Sequence, residues 1–144
     1  MFRAIGIGLI VLIGGVASAA LTPSQKARIE AATPVEARVE PKQSRRVLIW
    51  NTPFMEKSPH KGYSIPQAEY AMRMLGDKTG AFEPVVSDDV AMYLPENLAR
   101  LDAIVLNNAN GPWIRPTEAD MPTFREYGDD MNEVERFLRK SLLD

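Results

Sequence analysis

The sequence has no cysteine and only one histidine among its 144 residues. The missing thiols exclude disulfides, thiolate nucleophiles and zinc–thiolate sites within this chain. A single histidine, His60, also excludes a metal site built from several imidazoles. Acidic residues number 19, so a carboxylate site stays open at the acid pairs 88–89 and 129–130, although such pairs more often cap the next helix. We therefore predict no metal site.

Several nucleotide and hydrolase signatures are also missing. The chain has no G-x-G-x-x-G segment after its first apolar run, no phosphate-binding loop and no G-x-S-x-G elbow. These absences argue against a dinucleotide cofactor and against a serine hydrolase of that type, and we predict no cofactor. The formal net charge is −2, which lacks the basic surplus typical of nucleic-acid-binding proteins.

The only long apolar run stands at the N-terminus. Basic Arg3 precedes apolar residues 4–16, and small residues follow in an Ala-Ser-Ala pattern that ends at Ala19. This is the layout of a secretory signal peptide over residues 1–19, with cleavage after Ala19 or Ala20. An uncleaved anchor is the alternative, but the run is short for a span of roughly 20 residues. We expect a secreted or periplasmic protein that meets the membrane only through this segment.

Polar residues and prolines dominate the next stretch, residues 20–45. Pro23, Pro34 and Pro41 interrupt it, and its apolar residues are isolated. This composition predicts a flexible spacer, with a helical turn possible near residues 24–32. A single domain is then expected over residues 46–144.

Three short apolar runs in that domain read as strands. They are RVLIW at 46–50, FEPVV at 82–86 and DAIVLNN at 102–108. The unbroken first run suits a central strand covered on both faces, whereas Pro84 removes a backbone donor and favours an edge for the second. Helical patterns separate the strands. Their alternation predicts an α/β fold with a parallel sheet.

Two longer helices are signalled by caps and spacing. Ser64, with Gln67 three residues later, forms a capping-box pattern, and a proline follows in the first turn. Apolar residues then recur at helical spacing until Gly76 or Gly80, either of which can end the helix. The segment MNEVERFLRKSLLD at 131–144 predicts a second amphipathic helix.

The loops after the first and third strands hold the candidate site. If the strand order is 2-1-3, these loops flank the crevice where open parallel sheets bind ligands. His60 is the candidate acid or base, and its alternative is an ordinary solvated loop histidine. The other residues can hydrogen-bond a polyol, although an asparagine after a strand often only caps a turn. These candidate binding residues are Asn51, Thr52, Tyr63, Ser64, Asn107, Asn108 and Asn110. Trp113 could stack on a sugar face.

An ordered set of short motifs resembles the ThuA-like, or trehalose-utilisation, family. The matching segments are RRVLIWN, PHKGYSIPQAEYAMRMLGDKTGAFEPVVSDD and LPENLARLDAIVLNNANG. They include a histidine shortly before Ser-Ile-Pro, a Thr-Gly, a Ser-x-Asp after a strand, and Glu-Asn-Leu. The resemblance covers residue 46 to about residue 140.

The resemblance implies a fold similar to class I glutamine amidotransferases without their cysteine. That fold is a flavodoxin-like three-layer sandwich around a parallel sheet. It also implies a secreted domain that acts on or binds trehalose-type or related keto sugars, with His60 in the site. A non-catalytic carbohydrate-binding or interaction module remains the alternative.

Family members continue past the helix that matches residues 134–142. They add a glycine-rich turn, another buried strand and a Gly-x-His segment, and this sequence has none of these. We therefore expect the domain to be an incomplete fragment that lacks a second site histidine. Whether this chain alone is an enzyme stays open.

Overall fold

A computed structural model describes residues 20–51, 64–107, 109 and 111–143. Helices and strands alternate along these residues, which confirms the predicted α/β class. The helices are α1 (Pro23–Ala32), α2 (Ser64–Thr79), α3 (Pro95–Leu98), α4 (Met121–Phe124) and α5 (Met131–Ser141), with a 3₁₀ turn over Val90–Tyr93. The strands are β1 (Arg46–Asn51), β2 (Glu83–Ser87) and β3 (Ala103–Asn107). No helix among the described residues is both long and apolar enough to cross a bilayer.

The three strands form one parallel sheet in the order β2-β1-β3. The central strand β1 is the most apolar, and Leu48, Ile49 and Trp50 are all fully buried. Pro84 lies in β2 at the edge of the sheet, as its missing backbone donor predicts. The strand bounds differ from the sequence prediction by at most one residue at either end. The order places the carboxyl ends of β1 and β3 side by side.

Helix α2 lies against one face of the sheet and ends at a glycine. Gly80 follows its last residue with a φ of 64°, a left-handed conformation that glycine adopts at no steric cost. Gly76 is buried inside the helix, where an added Cβ would lie 2.8 Å from the carbonyl oxygen of Phe82 and 2.9 Å from Pro84 Cδ. Glycine at this position lets the chain entering β2 pass directly against α2.

The opposite face of the sheet carries the larger apolar core. Alternate residues of β1, Leu48 and Trp50, pack there with buried residues from the 3₁₀ turn, the following loop, α4 and α5. Helix α5 contributes Val134 and Leu138, which are fully buried, as its amphipathic pattern predicts. Asp130 caps this helix by accepting from the backbone N–H groups of Asn132 and Glu133. Asp89 likewise accepts from the backbone N–H of Ala91 at the start of the 3₁₀ turn, so both acid pairs supply a helix cap, as the sequence suggested.

Helix α1 lies within the predicted spacer, where the sequence suggested a helical turn near residues 24–32, and it spans Pro23–Ala32. Thr22 and Gln25 form a capping box at its start. None of its residues is buried, and it is held against α2 by polar groups. The Tyr70 hydroxyl donates to the Glu30 carboxylate, and Lys78 Nζ donates to the carbonyl oxygen of Glu30 at 2.6 Å. A search for apolar periodicity does not detect polar contacts of this kind. This part of the chain was therefore predicted to be a spacer.

Candidate functional site

Two of the predicted site residues meet at the carboxyl edge of the sheet. Asn51 ends β1, Asn107 ends β3, and the two are partners in the strand register. Asn107 Nδ2 donates to Asn51 Oδ1 over 2.8 Å. Both side chains are half-buried. Adjacent parallel strands therefore bring together two amides that lie 56 positions apart in the sequence.

The structure adds Glu69, a residue that the sequence analysis missed. Asn51 Nδ2 donates to Glu69 Oε2 over 2.7 Å. Glu69 lies on α2 four positions after the buried Ile65 and is itself half-buried. Residues at this spacing share one helix face. An acidic residue on the buried face of a helix is the signal that could have identified it.

The start of α2 belongs to the same network. Asn107 Nδ2 also donates to the backbone carbonyl oxygen of Ile65 over 3.1 Å. This bond joins the end of β3 to the first turn of α2. The side chains of Asn51, Glu69 and Asn107 and the Ile65 carbonyl form a chain of hydrogen bonds that we call the carboxyl-edge network.

Ser64 lies next to this network but not in its predicted cap position. The helix begins at Ser64, so this residue is the first helical residue, and its side chain is exposed. The cap position lies one residue earlier, outside the described residues. The proline at position 66 does fall in the first turn, as predicted.

The other predicted site residues cannot be placed in the same way. Thr52, His60, Tyr63, Asn108 and Asn110 lie outside the described residues. Their roles in the site stay predictions. The described part of the site consists of the carboxyl-edge network and the start of α2.

An aromatic cluster lies at the carboxyl end of β1, on the face of the sheet that carries the larger core. Trp50 packs edge-on against Tyr93 at 4.8 Å between ring centroids, and Tyr93 packs in the same way on Trp113 at 5.6 Å. Trp50 Nε1 donates to the carbonyl oxygen of Trp113 over 3.1 Å. The guanidinium of Arg139 lies 5.6 Å from the centre of the Trp113 ring. The sequence suggested that Trp113 could stack on a sugar. In the structure its ring contacts Tyr93 and Arg139 of the protein itself.

Tyr93 is the most enclosed polar group of this cluster. Its side chain is fully buried, and its hydroxyl has no hydrogen-bond partner among the residues that the structure describes. Burial raises the pKa of Tyr93, because the charged phenolate would lose its hydration. The hydroxyl therefore stays protonated near neutral pH.

No group of three or more acidic or histidine side chains within the described ranges is arranged to hold a metal ion. A shallow groove of about 490 Å³ runs between α3 and α5, lined by Pro95, Leu98, Ala99, Phe137, Lys140 and Ser141. None of these residues belongs to the predicted site. The groove is mainly apolar and lacks the directed polar groups of the carboxyl-edge network.

Comparison of the chain with protein-family models, curated proteins and solved structures finds no match.

Proposed function

We propose that this protein is a secreted, ThuA-like domain that binds or acts on trehalose-type or related keto sugars. The observation that carries the proposal is the meeting of Asn51 and Asn107, whose amides lie 2.8 Å apart at the carboxyl edge. This is the edge where open parallel α/β sheets bind ligands. A sugar offers many hydroxyl groups, and an amide carbonyl oxygen at this edge can accept a hydrogen bond from one of them.

The strand order supports the fold that the resemblance implies. The parallel order β2-β1-β3 is that of the first three strands in a flavodoxin-like sheet. Ligands of such sheets lie between the loops that follow the first and third strands. The loop after β1 contains His60, for which we propose the role of general acid or base in the sugar chemistry.

The partner that this reading favours is a small carbohydrate rather than a nucleic acid. The net charge of −2 gives no general attraction for a polyanion. The N-terminal residues 1–19 are proposed to direct the chain out of the cytoplasm and then to be removed, leaving the domain in the periplasm or outside the cell.

Calorimetric titration of the full chain with trehalose and with its keto derivative tests the proposal. We expect saturable binding of at least one sugar, and Asn107→Ala should weaken it by about three- to tenfold, because one hydrogen bond to the sugar is lost. The matched control is Asn132→Ala, which removes an exposed amide from the first turn of α5. If neither sugar binds, or if both variants behave alike, the proposed site is wrong.

A second variant separates catalysis from binding. His60→Ala should abolish turnover of the sugar while leaving its affinity nearly unchanged if the imidazole transfers a proton. If the wild-type chain binds sugar without turnover, the alternative applies, and the domain is a non-catalytic carbohydrate-binding module. Binding alone needs groups that form hydrogen bonds and does not need a proton donor. The two neutral amides of the network therefore support the binding module as the second candidate.

A further inference from the structure

The orientation of the two asparagine amides is determined by their neighbours. An ionised carboxylate can only accept hydrogen bonds. Asn51 must therefore turn its NH₂ group towards Glu69, where Nδ2 lies 2.7 Å from Oε2. Its carbonyl oxygen Oδ1 then faces Asn107, so Asn107 must present a donor at that contact.

A second acceptor holds Asn107 in the same orientation. Its Nδ2 lies 3.1 Å from the carbonyl oxygen of Ile65, which also can only accept. The two hydrogens of this NH₂ group therefore serve Asn51 and Ile65. Both contacts use the nitrogen of this amide, so its carbonyl oxygen Oδ1 takes no part in either of them.

We propose that Glu69 is a positioning residue that, together with the Ile65 carbonyl, sets the direction of this hydrogen-bond chain, so that Asn107 offers an acceptor at the carboxyl edge and the ligand group it receives is a hydroxyl. A keto oxygen at that point would face another oxygen and be repelled. The identity of the ligand as a sugar rests on the proposed function. The direction of the chain rests on the hydrogen bonds alone.

Packing does not require a carboxylate at position 69. A methionine has a similar length and would fill the same half-buried space between α2 and the end of β1 without the cost of partly dehydrating a charge. What methionine cannot do is accept from Asn51. The hydrogen bond to Asn51 is thus the one property of Glu69 in this network that an apolar side chain does not reproduce.

Side-chain amide resonances test the direction of the chain without any sugar. In ¹⁵N–¹H spectra, Glu69→Met should shift the NH₂ signals of Asn51 and Asn107 and speed their exchange with water, because the first acceptor is gone. Glu69→Gln should preserve both signals, since the glutamine carbonyl oxygen can still accept. The exposed Glu118→Met is the matched control. Unchanged Asn51 and Asn107 signals in Glu69→Met would overturn the positioning role.

Sugar titration of the same variants tests the ligand group. We expect trehalose to bind Glu69→Met about three- to tenfold more weakly than wild type, with Glu69→Gln restoring the affinity. The derivative whose keto group replaces the recognised hydroxyl should bind more weakly than trehalose. Binding of that derivative equal to or tighter than that of trehalose contradicts the hydroxyl assignment.

The two failures can be told apart. If neither sugar binds the wild-type chain, the proposed function fails and the hydroxyl assignment fails with it, while the amide spectra still decide the role of Glu69. If trehalose binds wild type and Glu69→Met equally, the proposed function stands and the positioning role is overturned.

Discussion

The two ends of the parallel strands are linked by different kinds of side chain. We call the end where the strands begin, beside Arg46 and Glu83, the amino edge. At the amino edge, charged side chains link the strands, with Arg45 Nη1 2.6 Å from Asp102 Oδ1 and Arg46 Nε 3.4 Å from Glu83 Oε1. Arg45 is 52% exposed there. At the carboxyl edge, the links are two neutral amides and one carboxylate, all half-buried.

The amino edge is therefore suited to holding the strands together, and the carboxyl edge is suited to recognising a ligand. Exposed ion pairs are weakened by water and salt and have little directional preference, so the amino edge can hold the strands but is poorly suited to select a ligand. Half-buried amides have fixed donors and acceptors, and a mismatch in them is costly. We therefore expect substitutions that mismatch hydrogen bonds at the carboxyl edge to lower stability strongly. Substitutions at the amino edge should lower stability only slightly, by an amount that depends mainly on pH.

The largest expected effect comes from the core beneath the carboxyl edge. Trp50→Ala removes a fully buried ring that packs on Tyr93, together with its hydrogen bond to Trp113, and should lower the free energy of unfolding by about 3–5 kcal/mol. Urea denaturation followed by circular dichroism measures the change. Trp50→Phe keeps much of the packing and should lose less.

The comparison variant for this prediction lies at the other end of the same strand. Val47 is only half-buried, near the amino edge. Val47→Ala should destabilise the protein clearly less than Trp50→Ala, because less apolar surface leaves the core. Equal losses for the two variants would mean that burial near the carboxyl edge contributes no more to stability than burial near the amino edge.

An intermediate effect is expected from a charge in the carboxyl-edge network. Asn107→Asp replaces an NH₂ donor by an oxygen that faces the Asn51 and Ile65 carbonyl oxygens at 2.8 and 3.1 Å. We expect a loss of about 1–3 kcal/mol in the free energy of unfolding, since two acceptors are left without a donor. The measurement is a urea denaturation midpoint at neutral pH.

Asn132→Asp is the matched control for that substitution. It makes the same change on the exposed first turn of α5, where a negative charge is favourable near the helix N-terminus. We expect no loss or a slight gain in stability. A similar loss in both variants would show that the hydrogen bonds of Asn107 are not what the aspartate disrupts.

Much of the sheet could be predicted from local sequence. Leu48, Ile49 and Trp50 form an unbroken apolar run, which a strand buried on both faces requires, and Pro84 excludes its strand from the centre. Together these two signals indicate which strand is central and which lies at an edge. The placement of Asn51 beside Asn107 follows from that order.

The rest of the candidate site depends on contacts that local patterns do not encode. Glu69 becomes part of it only because α2 packs with its first turns against the ends of β1 and β3. The docking of α1 was missed for a related reason, since Tyr70 and Lys78 hold it by polar bonds and no apolar stripe marks it. Hydrogen-bond partners distant in sequence leave no periodic signal.

The smallest expected effect belongs to the amino edge and is seen in the pH dependence of stability. The Arg45 guanidinium and the backbone N–H of Arg46 hold the pKa of Asp102 below its usual value of 3.8. The unfolded chain therefore takes up the proton first as the pH falls. The stabilisation is fully present above that value and is lost as the pH falls through the lower pKa of the folded protein.

Asp102→Asn should accordingly lower the denaturation midpoint slightly at neutral pH, and the gap from wild type should narrow as the solution is acidified below pH 3.8. The exposed Asp88→Asn is the control, because its carboxylate has no comparable arginine partner among the described residues. A gap for Asp102→Asn that stays constant across this pH range would show that the amino edge is not fastened by the charge of Asp102. The proposed difference between an amino edge linked by charges and a carboxyl edge linked by amides would then be wrong.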